Sequence, residues 1–201
     1  VPALSWAAGS AQAVVITDPF PPSPQCLTSE VSLGGVNADA CAGYYPKPNG
    51  ETEETNLLND ATDGDDWTYI FKTQNGGADE GPGGFQGIQF SIDTTFATSG
   101  EYTLFWEDIN GAVDLNLPIA LDLAFSMKAG NVISYYIFEQ ELLTDDPYSK
   151  SGSFTLEVTN ALSHQSLFVR SPGNPGTPDN PVPEPGTLAL LGLGLFSLRW
   201  A

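Results

Sequence analysis

The sequence predicts an all-β protein: an antiparallel β-sandwich, jelly-roll-like, with a C-terminal linker and a short apolar helix. Three observations predict it. Apolar and polar residues alternate with period two through much of residues 14–170. These runs are rich in aromatic and β-branched side chains, which suit a pleated, half-buried surface. Glycine and proline, 21 and 16 of them, cut the runs into strand-sized pieces at a spacing of roughly ten residues, as in sandwiches and barrels.

The chain opens with "VPALSWAAGSAQA", apolar and rich in small residues, ending Ala11-Gln12-Ala13. Small residues at the −3 and −1 positions are what signal peptidase accepts, so residues 1–13 read as the remnant of a secretory signal cut after Ala13. A buried N-terminal strand is the alternative. Export fits Cys26 and Cys41, the two cysteines, which are expected to form a disulfide in an oxidising compartment. "ETNLLNDA" is a candidate short helix around Leu57 and Leu58.

"WTYIFKT" then alternates Trp67, Tyr69 and Phe71 against Thr68, Ile70 and Lys72. "GGADEGPGG" reads as a glycine-rich loop before the strand "GIQFSI". "EYTLFWED" puts Tyr102, Leu104 and Trp106 on one face. In "IALDLAFSMKAGNVISYYIFEQ", Leu121, Leu123, Phe125 and Met127 point one way, with Asp122, Ser126 and Lys128 opposite. Ala129-Gly130-Asn131 turns that chain back at Val132, a hairpin signature. "GSFTLEVT" and "QSLFVR" supply two further strands, and the folded domain is expected over residues 14–170.

Residues 171–186, "SPGNPGTPDNPVPEPG", hold six prolines and three glycines in sixteen positions and read as an extended linker. Gly186 to Leu198 is thirteen residues without charge. As a helix it rises about 20 Å, short of the roughly 30 Å hydrocarbon core.

Charge narrows the function. With 25 acidic and 6 basic residues the formal charge is −19. Nucleic-acid binding needs Lys and Arg to displace phosphate counterions, so that class is excluded, and anionic membrane surfaces are disfavoured for the same reason. Divalent cations are favoured. "NDATDGDDW" gives Asn59, Asp60, Asp63, Asp65 and Asp66 as candidate calcium ligands, hard oxygens in a loop whose register is not that of an EF-hand. A solvated acidic loop is the plainer reading.

Catalytic signals are thin. Ser163-His164 is the only serine–histidine pair, but triad members must meet in space, which sequence adjacency does not show, and there is no G-x-S-x-G nucleophile elbow. Glu107, Asp108 and Glu139 are candidate carboxylates for glycoside hydrolysis. Trp67 and Trp106 are candidate sugar-stacking rings. Tyr135 and Tyr136 are two more, but neighbours in one strand point to opposite faces, so at most one of them joins a given platform. Aromatics at period two also fit a core.

The tail closely resembles the PEP-CTERM sorting signal. Pro183-Glu184-Pro185 matches the motif, "GTLALLGLGLFSL" the glycine- and leucine-rich transmembrane helix, and Arg199 stands for the basic cluster. The sorting signal thus covers residues 183–201 and leaves residues 171–182 as the linker proper. The resemblance implies an exosortase as processing partner, transient anchoring in the inner membrane through the C-terminal helix, and delivery to the surface or exterior of a Gram-negative bacterium that makes exopolysaccharide. The body also resembles a recurring passenger of such tails, in "ACAG", "DDWTYIFK" and "LSHQSLFVR"; that likeness implies no activity. The expectation is a secreted, non-enzymatic surface or matrix protein associated with exopolysaccharide. A carbohydrate-binding module and a hydrolase with paired carboxylates are the alternatives. Glycan binding by so acidic a chain is expected through stacking on a neutral polymer, or through a bridging divalent cation on an acidic one.

Overall fold

A computed structural model of the protein describes residues 26–62, 66–76, 80–109, 117–144 and 148–172. The signal remnant, Asp63, Asp65, the C-terminal linker beyond residue 172 and the C-terminal helix lie outside them.

The protein is mostly β, with two antiparallel sheets and, among the described residues, one α-helix. A 3-10 turn (Thr28–Glu30) leads into β1 (Val31–Leu33), β2 (Val36–Asn37) and β3 (Ala40–Pro46). Helix α1 (Glu51–Thr62) follows, then β4 (Thr68–Gln74), β5 (Gly83–Phe85), β6 (Ile88–Thr94) and β7 (Ser99–Asp108). The hairpin is β8 (Ile119–Ala129) and β9 (Val132–Leu143), and β10 (Ser149–Thr155) and β11 (Leu162–Arg170) complete the body. The six-stranded sheet runs β2-β1-β10-β7-β6-β5, and the five-stranded sheet β3-β9-β8-β11-β4.

One core joins the sheets in a sandwich-like arrangement. The six-stranded sheet contributes Ile88, Phe90, Tyr102, Leu104, Trp106 and Phe154; the other contributes Leu121, Leu123, Phe125, Met127, Tyr136 and Leu167. These are the inward positions that alternation predicts for β7 and β8. The Gly130 turn sits where expected and adopts the left-handed conformation (φ 63°) that glycine tolerates.

Three local expectations need correction. The helix runs a full Glu51–Thr62, with Glu51, Glu53 and Glu54 at the N-terminal end, where the helix dipole favours negative charge. Gly83 and Gly84, read as the end of the glycine-rich loop, form the edge strand β5 (Gly83–Phe85) together with Phe85. In β4 the alternation breaks: Phe168 pairs with Tyr69 but Leu167 pairs with Phe71, so Ile70 is an extra residue. The bulge shifts the phase, and Phe71 joins Ile70 in the inter-sheet core while Trp67 and Tyr69 pack on the other side.

That other side is covered. Leu58 and Ala61 of α1 pack with Ala124, Tyr135, Ile137 and Phe168 in a second cluster on the back of the five-stranded sheet. Tyr135 donates its hydroxyl to the Glu54 carbonyl of the helix (2.9 Å). Tyr135 and Tyr136 therefore do face opposite ways, into two different cores. With both faces covered, β8 is buried over most of its length and β9 from Ile133 to Phe138. The six-stranded sheet keeps its alternation in β6 and β7, and its outer face stands in water.

Candidate functional site

Cross-strand partners share a face, so the registers give the outer surface of the six-stranded sheet row by row. Phe105 lies between Ser91 of β6 and Ser149 of β10, and Thr103 between Asp93 and Ser151. Glu101 pairs with Ser153, which in turn pairs with Ser32; Glu107 pairs with Gln89, and Gln89 with Gly84. The face is thus made of hydroxyls, an amide and acids around one aromatic ring. The Ser32 and Ser153 hydroxyls hydrogen-bond to each other (2.9 Å), so the hydroxyl rows are held by their neighbours.

At one end the surface deepens into an open groove of about 610 Å³. Pro82, Gln89, Ser91, Phe105, Glu107, Asp108 and Tyr148 line it, with Phe90 and Trp106. Phe105 is 43 % exposed and Tyr148 52 %. Exposed aromatic rings beside amide and hydroxyl groups form an amphipathic surface: ring faces for the C–H side of a sugar, polar groups for its hydroxyls.

The stacking candidates predicted from sequence are not these rings. Trp67 is 4 % exposed and Trp106 is 3 %. Trp67 lies in the cluster beneath α1, its Nε1 donates to Thr62 Oγ1 (2.9 Å), and the Arg170 guanidinium stands 4.3 Å from its ring centroid. Trp106 belongs to the inter-sheet core and donates Nε1 to the Thr144 carbonyl (2.9 Å). Both rings are structural. Phe105 was legible all the same: in "EYTLFWED" it occupies the phase opposite to Leu104 and Trp106, an aromatic where alternation asks for a polar residue. Tyr148 carries no such signal, because it precedes β10.

Of the candidate carboxylates, Glu107 and Asp108 line the groove, while Glu139 belongs to β9 in the other sheet. An acid and a base for glycoside hydrolysis need unlike environments, one of them dry. Glu107 and Asp108 are both exposed.

Ser163 Oγ does hydrogen-bond to His164 Nδ1 (3.0 Å) and to the Lys128 carbonyl (3.0 Å), and His164 Nε2 meets Gln74 Oε1 (3.1 Å). The imidazole's far nitrogen thus faces an amide where a triad places a carboxylate. Burial, then the positive charges of Lys128, Lys72 and Lys47, pushes the His164 pKa below its usual value. A small pocket of about 100 Å³ lies beside it, lined also by Glu51, Glu54, Lys72 and Lys128.

Three of the calcium candidates lie among the described residues. Asn59 and Asp60 sit in the last turn of α1, and Asp66 pairs with Arg170 Nη1 (3.3 Å). Asp63 and Asp65 lie outside the described residues, among which no group of three or more His, Cys, Asp or Glu is placed to hold a metal. The predicted disulfide is present: Cys26 and Cys41 are bridged, their Cα atoms 6.1 Å apart.

Comparison with known proteins decides the tail. Residues 181–201 match the family model of the PEP-CTERM protein-sorting motif. The chain carries a PEP-CTERM sorting signal. The match includes Pro183, Glu184 and Pro185 and leaves the β body outside it. No curated protein and no solved structure matches the chain. A PEP-CTERM motif is the recognition signal for exosortase processing, and it places the protein among those exported to the surface or exterior of Gram-negative bacteria. Among the described residues no helix is long and apolar enough to cross a membrane.

Proposed function

We propose that this PEP-CTERM protein is a non-enzymatic component of the cell surface or extracellular matrix that holds exopolysaccharide on the outer face of its six-stranded sheet. In this reading the C-terminal helix anchors the exported chain in the inner membrane until exosortase removes it. The observation that carries the glycan reading is the pair of exposed rings, Phe105 and Tyr148, in a groove otherwise lined by polar groups. Sugar rings stack on the aromatics, and Gln89 and Ser91 hydrogen-bond to their hydroxyls. Turnover is not part of the proposal, because Glu107 and Asp108 share one wet environment and His164 has no carboxylate at its far nitrogen.

Affinity electrophoresis of the full chain in gels containing the host's purified exopolysaccharide tests it. Migration of the wild type is retarded. Phe105→Ala weakens binding about three- to tenfold, the equivalent of roughly 1 kcal/mol of ring contact, and leaves the melting temperature unchanged because the ring is largely outside the core. Equal migration of wild type and variant would sink the reading. New reducing ends that vanish in Glu107→Gln would turn the protein into a hydrolase.

A further inference from the structure

The groove's sheet face carries a charge pattern that narrows the ligand further. Asp93, Glu101 and Glu107 occupy outward positions in β6 and β7, in the rows on either side of the one that holds Phe105 and its flanking serines. No Lys or Arg occupies an outward position in these two strands or among the groove residues. Lys150, on the adjoining β10, pairs with inward-facing Leu104 and is held by Glu141 of the opposite sheet. Among the described residues Glu107 takes part in no ion pair. Glu101 and Glu107 lie six residues apart on one strand, a span of about 20 Å, so the acids bracket the aromatic ring along the path an extended polymer would take.

Resting on the glycan reading above, we infer that this face selects a glycan that bears positive charge, an amino-sugar polymer with free amino groups, over neutral and uronic-acid polymers. An ammonium group on a ring seated at Phe105 meets carboxylates on either side. A uronate there meets like charge with no cation to offset it, and such juxtapositions are a strong source of discrimination. The aromatic contact is common to all three polymers, so charge alone decides among them.

The full chain is passed over beads of chitosan, of its N-acetylated counterpart chitin, and of polygalacturonate, at low and moderate salt. Retention is expected to be strongest on chitosan, weaker on chitin and absent on polygalacturonate. Raising the pH until the glucosamine amines lose their protons should bring chitosan retention down to the chitin level. Glu107→Gln weakens chitosan retention severalfold and spares chitin, while Phe105→Ala weakens both. A chain of charge −19 is drawn to any polycation, so Glu157→Gln, an exposed acid beyond the end of β10, is the control. Equal losses in Glu107→Gln and Glu157→Gln mean diffuse attraction and overturn the inference. Equal retention on chitin and chitosan, both lost in Phe105→Ala, overturns it too and leaves the glycan reading standing. Retention on none of the three overturns both.

Discussion

Glu54 shows how far one residue's role depends on what is built around it. In the sequence it is one of seven acids between Glu51 and Asp66, a stretch that reads as solvated. In the fold it is buried under α1 and accepts a hydrogen bond from Ser126 Oγ (2.5 Å). Burial raises its pKa; the hydrogen bond from Ser126 and the charges of Lys72 and Lys128 oppose the rise without cancelling it. A carboxyl group whose folded pKa is raised binds its proton more tightly when folded, so its contribution to stability is present at low pH and lost as pH rises through that pKa. Glu54→Gln keeps an acceptor oxygen and cannot ionise. Its stability relative to wild type is therefore expected to grow from pH 4 to pH 7, read as the difference between paired urea melts. A flat difference would show a carboxyl that folding leaves unshifted, and one that shrinks with pH would show that Glu54 is stabilised as the anion. Glu30 is buried differently, with four donors: Tyr44 and Tyr136 hydroxyls and the Leu27 and Glu157 amides. Burial, and then the hydrogen bond to Glu30, pushes Tyr44 up to about 12.

Elements were more legible than residues where a single period rules. The β8–β9 hairpin and the inward phase of β7 follow from alternation and from one glycine turn. The phase of β4 does not, because the Ile70 bulge is set by its pairing with β11, a strand nearly a hundred residues later. Strand β10 shows the same limit. Gly152 sits between Leu33 and Tyr102 in the six-stranded sheet, and the Tyr102 hydroxyl reaches the Ser32 carbonyl (2.9 Å) past it. A Cβ at Gly152 would stand 2.3 Å from both Ser32 O and Tyr102 Cζ. Gly152→Ala is expected to cost about 1–3 kcal/mol through this overpacking, measured as a lower urea midpoint. Gly84→Ala is the contrast: its Cβ would meet nothing nearer than 3.6 Å, so stability should stay within about 0.5 kcal/mol of wild type. Equal losses in the two variants would remove the packing explanation.

At the scale of the molecule, the disulfide ties the segment leading into β1 of one sheet to β3 of the other. Closing a loop of this length contributes about 3 kcal/mol in the chain-entropy model, so Cys26→Ser/Cys41→Ser should lose about that much. An unchanged urea midpoint would leave the bridge without a stabilising role. The sorting motif makes a separate prediction. Mass spectrometry of protein released at the host surface should find a C-terminus near Pro183-Glu184-Pro185; a mature form still carrying Trp200 would contradict processing there.

Short-range chemistry is legible along the chain. Alternation set the inward faces of β7 and β8, Gly130 set the turn from β8 to β9, and the cysteine pair foretold its bridge. The sorting motif was readable because an enzyme must recognise it as a linear stretch. Which polar faces meet water depends on packing between distant elements. Asp122 and Ser126 lie on the polar side of β8, yet both are buried, Asp122 paired with Arg170 (2.9 Å) and Ser126 with Glu54. Gln89, Ser91, Phe105 and Glu107 occupy the equivalent side of the other sheet and remain open as the groove. The two patterns look alike in one dimension. What separates them is α1, packed on one sheet and not the other, and burial depends on what lies across space, which no local period records.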